Sequence, residues 1–130
     1  METGAWRIEL SPKTVAAEDL FLNVIQVTDR QSPSRWPVQS LSTGSRVGCI
    51  IDGPDVSWVV LMRRDSQRSA EPLKFTVPGI SPSRILVTDL SPGEWHAKRE
   101  GSVETRDLTV SEDSGAAWFE GPAGTWTLSR

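Results

Sequence analysis

The sequence contains no tyrosine, one cysteine and one histidine among its 130 residues. The single cysteine, Cys49, excludes an internal disulfide, and the single histidine, His96, excludes a zinc site with two histidine ligands. The motifs of phosphate loops, dinucleotide-binding turns and serine nucleophile elbows are also missing. We therefore predict that this chain has no catalytic residue, no metal site and no cofactor.

Long apolar runs and an excess of cationic residues are missing as well. The two longest apolar runs, residues 20–27 and 56–62, contain polar residues and fall far short of the roughly 20 residues that span a bilayer. The net charge of −3 is unusual for a protein that binds the phosphate backbone. Residues 1–4 do not begin a signal peptide. The sequence thus predicts neither a membrane nor a nucleic acid partner.

The composition fits one all-β domain that spans residues 1–130, since single cores are typically about 100–150 residues long. Six tryptophans and three phenylalanines supply bulky apolar surface for a core. Ten glycines and nine prolines recur at close intervals, and no window shows the apolar spacing of an amphipathic helix. We expect no long helix.

Short runs of β-forming residues, separated by turn residues, fill the chain. About ten strands are predicted. They cover residues 6–10, 19–27, 46–51, 56–63, 73–77, 84–89, 94–99, 103–110, 116–120 and 125–128. Strands of unequal length, with prolines that can protect open edges, favour a two-sheet antiparallel β-sandwich over a closed barrel. The segment 30–44, rich in proline and serine, is predicted to be a loop.

The alternation of apolar and polar residues predicts which side chains face the core. Trp6, Trp58, Trp95 and Trp126 are each in phase with other apolar residues of their strand and are predicted to be buried. Trp118 is ambiguous, because its neighbour Phe119 is also apolar. Residues 20–27 and 56–62 are apolar at both parities, which predicts central strands whose outer face is covered by a loop, a terminus or another domain.

One pair of residues is a candidate ligand site. Trp36 lies in the predicted loop 30–44, where its ring could stack on the face of a sugar while Arg35 pairs with a uronate carboxylate. The competing interpretation is that Trp36 caps one end of the sandwich or packs on a neighbouring domain. His96 shares a strand face with Glu94 and Lys98, so we interpret it as a solvated surface histidine.

Two parts of the sequence carry a family resemblance. Residues 6–12 (WRIELSP) and 18–29 (EDLFLNVIQVTD) form one part, and residues 89–95 (DLSPGEW) and 115–128 (GAAWFEGPAGTWTL) form the other. They resemble the opening and closing strands of the C-terminal β-sandwich of heparinase II/III-like polysaccharide lyases. In that family the eliminating tyrosine and histidine residues lie in a helical toroid and a central sandwich, and no position of this chain corresponds to them.

The resemblance implies a non-catalytic accessory module of a polysaccharide lyase, either excised or free-standing. Its partners would be the other domains of the parent enzyme, which it would buttress, and an acidic polysaccharide, which it would contact weakly. A periplasmic or secreted location would follow; the sequence itself leaves the compartment open. The alternative is an independent adhesion-type or protein-interaction β-sandwich that does not bind glycans.

Overall fold

A computed structural model of the chain describes residues 9–15, 17, 19–31 and 34–130. Nine strands occur in these residues, and no α-helix does. The strands are β1 (Val38–Thr43), β2 (Arg46–Asp52), β3 (Ser57–Arg63), β4 (Leu73–Val77), β5 (Ser83–Val87), β6 (Gly93–Arg99), β7 (Thr105–Val110), β8 (Ala117–Gly121) and β9 (Gly124–Ser129).

The strands form two packed sheets, which confirms the predicted all-β sandwich. One sheet has five strands in the order β1-β2-β3-β5-β8, and the other has four in the order β4-β9-β6-β7. Strands β3 and β5 pair in parallel, whereas the other strand pairs in the described residues are antiparallel. The parallel pair arises because β4 belongs to the opposite sheet, so the chain crosses over and back before β5 pairs with β3.

The core lies between the two sheets and is built from one parity of each strand. Trp95 is fully buried, and its Nε1 donates a hydrogen bond to the carbonyl oxygen of Ser91 at 2.9 Å. Trp126 is also buried and packs edge-on against Phe119, with the ring centroids 5.1 Å apart. The predicted burial of both tryptophans is therefore confirmed.

The described parts of the first two predicted strands form no strand. Most of residues 6–10, including Trp6, lies outside the described residues, and residues 9–10 are not in a strand. Residues 19–27 are described, but they form no strand and most of their apolar side chains are exposed. A strand needs a neighbouring edge to pair with, and residues 38–43 occupy the edge beside β2. The prediction of a central strand over 19–27 is wrong.

Strand β1 lies inside the segment that was predicted to be a loop, residues 30–44. Its sequence carries little apolar signal, because four of its six residues are polar and four of its six side chains are exposed. Backbone pairing with β2 creates this edge strand instead. Gly44 closes the hairpin at φ +54°, a conformation that L side chains rarely adopt.

Cys49 of β2 is buried, as predicted from its apolar surroundings in the sequence. Its register partner Val60 belongs to the parity of β3 that points away from the core. Burial raises the pKa of the Cys49 thiol, because the thiolate would lose its hydration. The thiol is therefore a poor nucleophile at neutral pH.

Candidate functional site

The outer face of the five-stranded sheet carries an exposed apolar patch. Trp58 of β3 stands in a cross-strand row with Arg84 and Glu120, and Val60 stands in the next row with Leu86 and Trp118. Trp58 is 38% exposed and Trp118 is 56% exposed. A shallow cleft of about 220 Å³ lies between them. We call this patch, formed by Trp58, Val60, Arg84, Leu86 and Trp118, the tryptophan face.

Arg84 of the tryptophan face contacts Trp58 and Glu120 on the two neighbouring strands. The Arg84 guanidinium lies 4.9 Å above the centre of a Trp58 ring, and its Nε donates to Glu120 Oε1 at 2.9 Å. Arg84 is thereby fixed by a cation–π contact on one side and a carboxylate on the other. The two contacts orient the Trp58 ring before any partner is bound.

The predicted burial of Trp58 is wrong. Strand β3 is apolar at both parities, and its Val59 and Leu61 point into the core, so Trp58 must point outward. The same rule resolves Trp118, since the adjacent Phe119 is buried. In a strand that is apolar at both parities, the alternation of apolar and polar residues does not predict which side chains face the core. The prediction that the outer face of residues 56–62 is covered by a loop, a terminus or another domain concerns this surface and stays a prediction.

Trp36 and Arg35, the predicted ligand-binding pair, lie in the extended segment before β1. The Trp36 main chain is pinned by Gln26, whose side-chain amide accepts from Trp36 N and donates to Trp36 O, both at 2.9 Å. The ring rests on Gly53, where an added Cβ would lie 3.3 Å from Trp36 Cζ3. It is 42% exposed, beside a cleft of about 370 Å³. Arg35 is exposed.

A second surface lies on the opposite side of the sandwich, over the four-stranded sheet. A groove of about 540 Å³ runs along its outer face. Residues that line it include Lys74, His96, Lys98, Arg99, Thr127 and Ser129. The sequence predicted His96 and Lys98 to be solvated, and both are exposed. The groove itself could not be anticipated, because its residues come from four strands, β4, β6, β7 and β9, whose order in the sheet cannot be read from the sequence.

Comparison with known families identifies the domain. The family model described as "Heparinase II C-terminal domain" matches residues 40–130. This chain belongs to the heparinase II C-terminal domain family. The match confirms the resemblance seen in the sequence and identifies a lyase-associated β domain. A search of curated proteins found no significant match.

The residues matched by the family model include two of the three surfaces described above for this heparinase II C-terminal domain. It begins within β1 and includes β2 to β9, so the tryptophan face and the groove both lie inside it. The stretches 89–95 and 115–128 lie inside it too, whereas residues 6–29 precede it. Trp36 and Arg35 also precede the matched residues. Their assignment as a ligand site therefore rests on their own chemistry.

Two further properties of the described residues bear on function. No cluster of three or more His, Cys, Asp or Glu side chains in these residues could hold a metal ion. Nor do these residues contain a helix long and apolar enough to cross a membrane.

Proposed function

We propose that this heparinase II C-terminal domain is a non-catalytic accessory module that packs against other domains of a parent polysaccharide lyase. The observation that carries the proposal is the tryptophan face. Exposed, contiguous apolar surface that includes aromatic side chains is typical of protein interfaces, and tryptophan is enriched among the residues that dominate binding energy. Trp58 and Trp118 are both exposed on the outer face of one sheet.

The absence of catalytic groups in the sequence supports the non-catalytic part of the proposal. The chain has no tyrosine, and its one histidine, His96, is engaged through Nδ1 with Asp107 Oδ1 at 2.8 Å on an exposed strand face. The resemblance gives the eliminating role to tyrosine together with histidine, and a chain without tyrosine lacks one member of that pair.

Weak contact with an acidic polysaccharide at Trp36 and Arg35 is a second part of the proposal. The pinned main chain and the one open ring face of Trp36 provide a platform that is ordered before a sugar arrives. Both groups are exposed, so solvent screens the ion pair that Arg35 would form. A single ring and a single screened cation limit this contact to millimolar affinity or weaker.

The docking role is tested by mixing the purified chain with separately expressed catalytic domains of its parent lyase. We expect a complex that can be measured by calorimetry. Replacing Trp58 and Trp118 together by serine should weaken it at least about a hundredfold, because interface tryptophans commonly contribute 2 kcal/mol or more each.

Trp36→Ser is the matched control, since Trp36 has similar exposure and lies outside the tryptophan face. It should leave the affinity unchanged. A complex that survives the double substitution would contradict the docking role. If the parent reading frame encodes no lyase domain, the alternative of an independent protein-interaction sandwich is favoured instead.

The non-catalytic role is tested on the purified chain with uronate-containing polymers. We expect no rise in the ultraviolet absorbance of unsaturated products. Product formation that disappears in the His96→Ala variant would show that the chain is an enzyme. The same preparation should show a cooperative unfolding transition in urea, so that inactivity cannot result from unfolded protein.

A further inference from the structure

The groove over the four-stranded sheet is built on a cross-strand row of four residues. The register places Lys74, Thr127, Lys98 and Thr105 side by side on β4, β9, β6 and β7. Adjacent strands are about 4.8 Å apart, so the backbones of the two lysines are separated by roughly 10 Å, with Thr127 between them. Two long cationic side chains thus flank a short hydroxyl side chain.

The neighbouring row adds further polar groups of small size. It contains Ser129, His96 and Asp107, again on adjacent strands. Neither phenylalanine nor tryptophan is among the described residues that line the groove, to which Thr105, Thr127 and Ser129 contribute hydroxyl groups. Such a surface recognises its ligand by hydrogen bonds and charge rather than by stacking.

The charges in the groove are unbalanced. Lys74, Lys98 and Arg99 line it, against one carboxylate, Glu100, which lies 3.7 Å from Lys74 Nζ. Lys98 forms no ion pair with any residue in the described part of the chain. The groove is therefore a cationic surface on a chain whose net charge is −3.

The two other carboxylates on this face are engaged by their neighbours. Glu94 accepts hydrogen bonds from Thr109 Oγ1 at 3.1 and 3.2 Å. Asp107 accepts from His96 Nδ1 at 2.8 Å, since a carboxylate has no proton to donate. This contact holds the imidazole ring and leaves Nε2 as the nitrogen that can meet a ligand.

We propose that this groove binds an anionic saccharide, with Lys98 and Lys74 pairing with sulfate or carboxylate groups and Thr127, Ser129 and His96 Nε2 hydrogen-bonding to sugar hydroxyls. Two separated cations suit a ligand that carries repeated charges. The hydroxyl-lined floor suits a polyhydroxylated chain. The groove lies on the sheet opposite the tryptophan face, so this site is independent of the docking role and is separate from Trp36.

The test measures binding of sulfated cellohexaose to the full chain by NMR titration of backbone amides. The largest shifts should occur at residues 98 and 127, and affinity should fall steeply as salt rises. Unsulfated cellohexaose should bind at least tenfold more weakly. The pair Lys74→Gln and Lys98→Gln should weaken binding of the sulfated sugar about tenfold, as expected for two exposed ion pairs.

The pair Arg64→Gln and Arg68→Gln is the charge-matched control, because it removes two exposed cations that lie outside the groove and outside the Trp36 site. It should leave the affinity unchanged. Thr127→Val, which removes only the hydroxyl, should weaken binding several-fold without changing the salt dependence. The loss of affinity in Thr127→Val distinguishes a saccharide site from a general attraction of anions to cationic side chains.

Four outcomes would overturn the proposal. In the first, the lysine pair has no effect while Arg35→Gln abolishes binding, which would place the site at Trp36. In the second, sodium sulfate alone binds as tightly as the sulfated sugar, which would leave only a small-anion site. In the third, a hexaglutamate peptide binds more tightly and displaces the sugar, which would make the ligand an acidic peptide. In the fourth, sulfated and unsulfated cellohexaose bind with equal affinity, which would show that the lysines do not recognise the charged groups.

Discussion

Replacing Trp126 by alanine should lower the free energy of unfolding by about 3–5 kcal/mol, the usual result of truncating a buried tryptophan. Trp126 is 3% exposed, and its Nε1 donates to the carbonyl oxygen of Pro122 at 3.1 Å. Its ring also fills the space above Gly121, where an added Cβ would lie 2.3 Å from Trp126 Cζ2. Small domains have a total stability of about 5–15 kcal/mol, so the urea midpoint should fall sharply.

Trp36→Ala and Trp118→Ala are the controls for this experiment. Both side chains are substantially exposed, so their removal leaves no cavity in the core and should move the midpoint only slightly. Equal midpoint shifts for Trp126→Ala and Trp36→Ala would contradict the assignment of inside and outside.

Replacing Arg46 by methionine should lower the free energy of unfolding by about 2–4 kcal/mol, because charge-assisted hydrogen bonds to part-buried carbonyls are lost. Arg46 is buried at the start of β2, where Nη1 donates to Thr88 O and Nη2 donates to Asp89 O at 3.1 Å. Methionine keeps most of the apolar contact of the side chain. It leaves Thr88 O without the donor that Arg46 supplies, in a part-buried site.

Asp89, whose carbonyl oxygen accepts from Arg46, makes a further contact through its side chain. Asp89 adopts a positive φ of 56°, and its Oδ2 accepts from Arg63 N at 3.0 Å. Arg64→Met is the matched control, since Arg64 is exposed and donates to Ser42 Oγ at 3.0 Å. Its midpoint in urea should be close to that of the wild type. An Arg46→Met variant that unfolds at the wild-type midpoint would show that the buried guanidinium is not needed for stability.

Prediction of strands from the sequence succeeded where a run of β-forming residues is bounded by turn residues. The predicted strands from residue 46 onward correspond to β2 to β9 within a few residues. Prediction failed for residues 19–27, which have strand-forming composition but no pairing edge, and for Val38–Thr43, which have an edge but little apolar pattern. Strand formation requires both a suitable sequence and a neighbour, and only the former is local.

The sequence by itself determined the all-β class, the burial of Trp95 and Trp126, and the family resemblance, because periodicity, turn residues and short motifs are properties of neighbouring residues. Only the tertiary structure decided that Trp58 and Trp118 share an exposed face and that Lys74, Lys98 and Thr127 form one row. These residues are far apart in the chain. Strand order, the parallel pairing of β3 with β5 and the face that each sheet turns to the core bring them together, and these depend on packing between distant segments.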